Sequence, residues 1–167
     1  MNEKTKTIII KPDGANYSGH QLVIIPTDTK FQPTDELIKS ILGLLQKEYP
    51  NCEIVSEKYN SVTFVDQGQN FEIVSCNHCN KELSVGFWQE KMNDSYDKTN
   101  FNDLSFKTNC CGKMSNLNDL IYDGDCGFAS YSVYVEDAEY DIDFVNELKL
   151  KLSNILTFKF KIFWRRV

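Results

Sequence analysis

Histidine, basic charge and long apolar stretches are all scarce in this chain of 167 residues. The two histidines, His20 and His78, leave few imidazole groups for a catalytic zinc centre or for general acid–base chemistry. The phosphate-binding pattern G-x-x-x-x-G-K and the nucleophile turn G-x-S-x-G are also missing. The sequence therefore provides no recognisable catalytic set.

The shortage of basic residues limits the range of partners. The formal net charge is −6 and the isoelectric point is about 4.9, whereas proteins that bind phosphate backbones usually carry a basic excess. No apolar run approaches the length of a membrane span, and the polar start MNEKTKT is not followed by a signal-peptide segment. We expect a cytoplasmic protein that does not enter a membrane. The overall charge argues against nucleic acid, although a local basic patch could still bind it.

Cysteine, by contrast, is well represented, and the residues are clustered. Because the chain is long enough to bury a core and has no export signal, close cysteine pairs favour metal binding over disulfides. We predict a single domain over residues 1–167, with an inserted zinc-ribbon-like segment over residues 74–126. The six cysteines are Cys52, Cys76, Cys79, Cys110, Cys111 and Cys126.

Two close pairs form the predicted metal site, Cys76 with Cys79 and Cys110 with Cys111. Zinc binds four thiolates at about 2.3 Å, which places the sulfurs about 3.8 Å apart. A C-x-x-C turn meets this spacing readily, but adjacent side chains on a strand point to opposite faces. Gly112 can supply the kink that the second pair needs by adopting positive φ. Since four sulfurs close the zinc shell, we predict a structural Zn²⁺.

Other uses of these thiols stay open at this point. If Cys110 or Cys111 does not bind, His78 and Cys126 are the reserve ligands, although a ring inside the first turn would usually point away from the metal. The cysteines could also be ordinary buried thiols, or Cys110 and Cys111 could be oxidised.

Apolar residues recur at helical spacing in three places. Residues 34–48 are expected to form a helix, with Thr34 as its N-cap and two acids in its first turn. Ser84 is expected to cap a second helix, and the apolar residues between 144 and 156 predict a third.

The order of strands and helices predicts an α+β fold with a mixed sheet. Strands at 22–25 and 53–59 flank the first helix, and strands at 129–135 and 158–164 flank the last. A helix-length crossover is typical of a parallel strand pair. We therefore expect two strand–helix–strand units, with the cysteine-rich segment inserted between them. A hairpin loop is also predicted at the sequence DQGQN, residues 66–70.

The middle of the chain resembles a family of uncharacterised bacterial proteins. Their shared features are a strand ending in C-x-x-C, a Trp-containing helix, C-C-G, a segment S-x-x-N-D-L-x-Y and a G-F strand. This chain differs by carrying Asn80 where the family has glycine, and Asn116 before Leu117. The resemblance covers residues 62–135 and implies the zinc site and the fold, but no activity. The matching stretches are TFVDQGQNFEIVSCNHC, FWQEKM, NCCG and SNLNDLIYDGDCGFASYSV.

The charges are segregated along the last third of the chain. Residues 114–148 contain no lysine or arginine, whereas six basic residues and no acid follow from Lys149 onward. The simple explanation of this pattern is a solvated acidic loop next to a basic strand. The more specific hypothesis is that the acids form a docking face for a basic protein partner. The nine acids are Asp119, Asp123, Asp125, Glu136, Asp137, Glu139, Asp141, Asp143 and Glu147.

Three functions follow as hypotheses. The first is a non-enzymatic, zinc-stabilised protein-binding module, comparable in role to a toxin-neutralising immunity protein. The second is an enzyme with a carboxylate-based site in the inserted segment, and the third is a zinc-ribbon nucleic-acid binder. The enzyme would use acids such as Glu90, Asp119 or Asp123, and the nucleic-acid binder would use Lys107, Lys113 and the C-terminal basic residues.

Overall fold

A computed structural model describes residues 3–14, 17–66, 68 and 72–167. This part of the chain contains helices and antiparallel sheets, which confirms the α+β class. None of its helices is long and apolar enough to cross a membrane. The elements are β1 (Lys4–Ile10), β2 (His20–Pro26), α1 (Asp35–Glu48), β3 (Ile54–Val65), β4 (Val74–Ser75), β5 (Glu82–Leu83), α2 (Val85–Thr99), β6 (Ser105–Lys107), β7 (Met114–Asn116), β8 (Ile121–Tyr122), β9 (Gly127–Glu136), α3 (Ile142–Ile155) and β10 (Phe160–Arg166).

A five-stranded sheet in the order β1–β3–β9–β2–β10 forms the centre of the fold. The chain runs through β2–α1–β3 and later through β9–α3–β10, so the predicted strand–helix–strand order is observed. The two strands of each unit point the same way, but a strand of the other unit lies between them and pairs antiparallel with both. This is the split β-α-β connectivity of ferredoxin-like sheets.

The prediction of directly paired parallel strands, and hence of a mixed sheet, is therefore wrong. Every pairing among the described strands is antiparallel. A helix-length crossover fixes the relative direction of the two strands it joins, but it leaves room to skip one position in the sheet. In this chain β9 occupies the position between β2 and β3, and β2 occupies the position between β9 and β10.

Both long crossover helices pack on one face of this sheet, as their apolar stripes predict. Thr34 caps α1 by accepting a hydrogen bond from the backbone N–H of Leu37, and Asp141 caps α3 through that of Phe144. The buried helix residues meet the inward side chains of β2, β3 and β9. They are Ile38, Ile41, Leu42 and Leu45 of α1, with Val145, Leu148 and Leu152 of α3.

The last strand departs from the predicted alternation. Phe160, Ile162 and Trp164 face the helices as expected. Phe163 points to the opposite face, yet it is only 3% exposed because it packs with Val23. The second face of β10 therefore buries Phe163 between Lys161 and Arg165, whereas the sequence suggested a wholly basic face.

The chain leaves the central sheet after β3 and returns to it at β9. The intervening segment contains α2, capped by Ser84 as predicted, and the short strands β4 to β8. Its apolar core includes Val62 of β3 and Phe128 of β9, so the central sheet contributes to both cores. The predicted hairpin loop at 66–70 and the start of the predicted strand at 71–75 lie partly outside the described residues.

Candidate metal centre

The first cysteine pair sits on a tight turn between β4 and β5. The backbone N–H of Asn80 donates to the carbonyl of Cys76 at 2.9 Å, and the N–H of Cys76 donates to the carbonyl of Lys81 at 2.9 Å. The N–H of His78 points at the Cys76 sulfur, 3.4 Å away. These bonds fold residues 76–81 so that the Cys76 and Cys79 thiols face the same side.

The second pair lies in the turn between β6 and β7. The N–H of Thr108 donates to the carbonyl of Lys113 at 3.0 Å and closes this turn. Gly112 has a φ of +68°, which is the kink predicted for this position. As a result the adjacent thiols of Cys110 and Cys111 do not diverge as they would on a straight strand.

The two turns bring all four predicted sulfurs together. The ligand atoms of Cys76, Cys79, Cys110 and Cys111 lie within 4.8 Å of one another. The separations include 3.4 Å between the sulfurs of Cys79 and Cys110 and 3.9 Å between those of Cys76 and Cys111. A disulfide would require about 2.05 Å, whereas a tetrahedral zinc site requires about 3.8 Å. Four cysteines at these distances could hold one metal ion.

Contacts outside the sulfur cluster fix the two turns to each other. The His78 ring nitrogen Nε2 lies 2.7 Å from the carbonyl oxygen of Met114. The Ser115 hydroxyl donates to Oδ1 of Asn77 at 2.6 Å. The His78 ring is thus engaged at the second turn, and neither it nor the other reserve ligand, Cys126, belongs to the group of mutually close ligand atoms.

The four thiols have unequal acidities. Burial, followed by the neighbouring Cys79 thiol, raises the pKa of Cys110 to about 11. Hydrogen bonding from the Thr108 side chain, followed by the Lys113 backbone, lowers the pKa of Cys111 to about 6. Burial also acts to raise the pKa of Cys76, but backbone N–H groups led by that of His78 outweigh it and lower the value. A bound cation would offset the negative charge of the thiolates that form when the four thiols lose their protons.

A metal ion bound by all four sulfurs would have a closed coordination shell. Four sulfurs fill a tetrahedron and leave no position for water or substrate. The second histidine, His20, is also elsewhere, since its ring packs 5.8 Å from Tyr140 and 6.3 Å from Trp164. A metal ion in this centre would hold two chain segments together.

The acids suggested for an enzyme are engaged in different local contacts. Glu90 pairs with Lys91 at 2.7 Å, and Asp123 accepts the N–H of Glu72 at 3.1 Å. Asp119 is exposed and borders a polar surface cavity of about 380 Å³. These contacts give no support to a shared catalytic carboxylate site.

The acidic stretch is also not one continuous surface, which corrects the docking face predicted from residues 119–147. Asp119, Asp123 and Asp125 precede β9, and the other six acids occupy its last residue or follow it. Strand β9 contains ten residues, so its two ends lie about 30 Å apart. Two acids also have structural roles that no pattern in the sequence indicates: Asp137 accepts the N–H of Ser18 at 3.1 Å, and Asp141 caps α3.

Asn80 provides a sensitive test of the first turn, because its φ is +59°. Glycine adopts this conformation without strain, whereas alanine does so at a cost of roughly 1 kcal/mol. We expect Asn80→Gly to leave the free energy of unfolding, measured in urea, unchanged or slightly raised. Asn80→Ala should lower it by about 1 kcal/mol. Metal content should be unchanged in both. An alanine variant more stable than the glycine variant would contradict the described turn.

Comparisons with known proteins add no information about this centre. No family model, curated protein or solved structure matches the chain. The resemblance to an uncharacterised family therefore stays an expectation, and the function is argued from the site itself.

Proposed function

We propose that this chain is a non-enzymatic protein-binding module stabilised by one Zn²⁺. The observation that carries the zinc site is the set of four cysteine sulfurs within 4.8 Å of one another. Four thiolates in a tetrahedron suit zinc and, among common alternatives, iron. Elemental analysis of the purified chain should find one zinc per molecule. One iron per molecule would contradict the identity of the metal, and no metal would contradict the site.

A reducing compartment, such as the cytoplasm, fits this proposal. All six cysteines are free thiols, and thiolate ligands must stay reduced in order to bind zinc. The ion would connect the turn after β4 to the turn before β7. The inserted segment has only short strands, so this link would supply much of its order.

The proposed docking surface is a group of four acids around the start of α3, called here the acidic α3 surface: Glu139, Asp141, Asp143 and Glu147. All four are exposed. None forms an ion pair with a lysine or arginine among the residues that the structure describes. An uncompensated negative surface favours a basic partner and accelerates its association.

Neutralising this surface should weaken capture of a basic protein partner. We expect the double variant Glu139→Gln/Glu147→Gln to retain several-fold less of a salt-sensitive partner from native lysate at low ionic strength. Glu3→Gln/Glu82→Gln removes the same charge at other exposed sites and serves as the matched control. Equal capture by both variants, or capture that salt does not change, would contradict the proposal.

A nucleic-acid role is the second candidate, because Lys107 and Lys113 are both exposed beside the second cysteine turn. Two lysines form a small basic area, and the net charge of −6 opposes it. A gel-shift assay at low salt would decide between the candidates. Retention that Lys107→Gln/Lys113→Gln abolishes would favour the nucleic-acid role over protein binding.

A further inference from the structure

The last strand, β10, forms one edge of the five-stranded sheet, since β2 is its sole partner among the described strands. The pairing with β2 runs without a register shift from Phe160 to Arg166. Only the end of the strand is covered, because Gly68 lies so close to the Arg166 carbonyl that a Cβ there would collide with it. A regular edge strand can accept an additional strand from another chain, which is called β-augmentation.

The pairing with β2 determines which backbone groups face outward. The N–H of Thr27 donates to the carbonyl of Lys159 at 2.9 Å, where the strand pair begins. Every second residue of an antiparallel pair bonds to the neighbouring strand, so the odd-numbered residues of β10 bond inward. The N–H and carbonyl groups of Phe160, Ile162 and Trp164 consequently point away from the sheet. No hydrogen bond to these groups exists within the described part of the chain.

The opposite edge strand, β1, is protected in ways that β10 is not. Its register shifts between Lys4 and Lys6, and such an irregularity hinders the addition of a further strand. Lys4 pairs with Glu57, and Lys6 pairs with Asp35 at 2.8 Å. The charges of the β1 edge are therefore compensated within the chain itself.

The lysines beside the β10 edge have no such compensation. Lys159 and Lys161 are two positions apart, so strand alternation directs them to the same face, and both are exposed. Lys149, on the second half of α3, is exposed as well. None of the three forms an ion pair with a carboxylate in the ranges that the structure describes. This edge therefore favours a partner that carries negative charge.

An open groove of about 470 Å³ lies beside the start of β10. Its apolar lining consists of Leu156, Phe158 and Phe160, which are half-buried against the helix-side core, and Lys149 and Lys159 border it. A residue directly opposite Phe160 on an added strand would direct its side chain to the same face of the sheet. An apolar side chain at that position would cover this groove.

A second copy of the chain fits this edge poorly, because like charges directly opposite each other destabilise a strand pair. Two β10 strands paired antiparallel about Lys161 would place this lysine against itself. Pairing about Ile162 would set Lys159 against Arg165, and pairing about the next residue would set Lys161 against Arg165. A segment with acids at the facing positions removes this repulsion.

We propose that the outer edge of β10 binds an extended segment of a protein partner in which apolar and acidic residues alternate. The segment adds as a strand and pairs with the outward backbone groups of Phe160, Ile162 and Trp164. Its apolar side chains cover the helix-side groove, and its carboxylates lie beside Lys159 and Lys161 on the other face. This surface is separate from the acidic α3 surface and does not depend on the function proposed above.

The direct test is a titration of the full chain with a capped peptide of about eight residues in which valine alternates with glutamate. Backbone amide NMR, combined with hydrogen exchange, follows the binding. We expect saturable shifts along residues 159–164, and exchange at the amides of Phe160, Ile162 and Trp164 should slow by about ten-fold or more. The amides of Lys161 and Phe163, which already face β2, should exchange slowly with and without peptide.

Two kinds of control peptide separate strand addition from simple charge attraction. A peptide with lysine in place of glutamate should bind about ten-fold more weakly or not at all, because it meets like charges. N-methylation removes a backbone donor, and only one edge of an added strand faces β10. Methylation of the valines alone and of the glutamates alone should therefore abolish binding in one case and preserve it in the other.

A charge variant of the chain tests the assigned lysines. Lys159→Gln/Lys161→Gln should weaken binding of the glutamate peptide several-fold without loss of stability, because both side chains are exposed. Lys39→Gln/Lys47→Gln removes the same charge from exposed positions on α1 and should bind normally.

Several outcomes would overturn this assignment. They are failure to saturate at millimolar peptide, equal binding of the lysine peptide, equal effects of the two methylation patterns, and slowed exchange at β1 in place of β10. Analytical ultracentrifugation of the free chain tests the other occupant, since a stable dimer with protected β10 amides would assign this edge to a second copy. Capture of a basic partner by the acidic α3 surface is tested separately by Glu139→Gln/Glu147→Gln, so either proposal can fail without the other.

Discussion

Replacing Cys76 with serine should abolish stoichiometric zinc binding and strongly destabilise the whole chain. Cys76 is fully buried, and its sulfur contacts that of Cys111 across the cluster. Zinc binding to four thiolates contributes on the order of 10 kcal/mol of folding free energy, which is comparable to the whole stability of a typical domain. Zinc content and urea unfolding, measured on the same samples, report both consequences.

The matched control for this variant is Cys52→Ser, which changes another buried cysteine. The Cys52 sulfur lies 3.8 Å from the carbonyl of Asp137, on the helix side of the central sheet and outside the four-cysteine group. We expect this variant to keep one zinc per chain, with a loss of about 1–2 kcal/mol from imperfect packing. Full zinc content in Cys76→Ser, or equal zinc loss in both variants, would contradict the assigned ligands.

Replacing Phe128 with alanine should destabilise the chain by about 3–5 kcal/mol. Phe128 belongs to β9, is 1% exposed and packs into the core of the inserted segment. Its ring centroid lies 4.9 Å from that of Phe64 and 5.4 Å from that of Phe101. The substitution would leave a cavity where the central sheet meets the inserted segment. Urea unfolding of the metal-loaded protein measures the loss.

Leu150→Ala is the control for apolar truncation, because Leu150 is 70% exposed on α3. Its effect should stay within about 0.5 kcal/mol. Since the central sheet and the inserted segment share Phe128, we expect one unfolding transition in the wild-type chain. A loss below 1 kcal/mol in Phe128→Ala, or separate transitions for the two regions, would contradict the shared core.

The parts of the fold that depend on nearby residues could be predicted from the sequence. Helix positions follow from apolar spacing and from the caps Thr34 and Ser84, which act within one turn. Strand partners depend on contacts between distant residues. The sequence indicates that β2 and β3 are joined by a helix, but not that β9 would lie between them. The burial of Phe163 on the basic face of β10 has the same origin, because Phe163 packs with Val23 of the neighbouring strand β2.

The candidate sites show the same difference. The four cysteines could be selected in advance because C-x-x-C spacing and the Gly112 kink are local chemical signals. The surface cavity between Tyr49 and Phe144 has no such signal, since its walls come from residues that meet only after folding. The acidic stretch was misread as a single surface for the opposite reason: neighbours in sequence are carried apart by the length of β9.

Zinc K-edge X-ray absorption on the purified chain tests the central claim most directly, because it reports the number and type of atoms bound to the metal. The account predicts four sulfur ligands at about 2.3 Å and no nitrogen or oxygen neighbour in the first coordination shell. A shell with fewer than four sulfurs, or one that includes nitrogen or oxygen ligands, would contradict it.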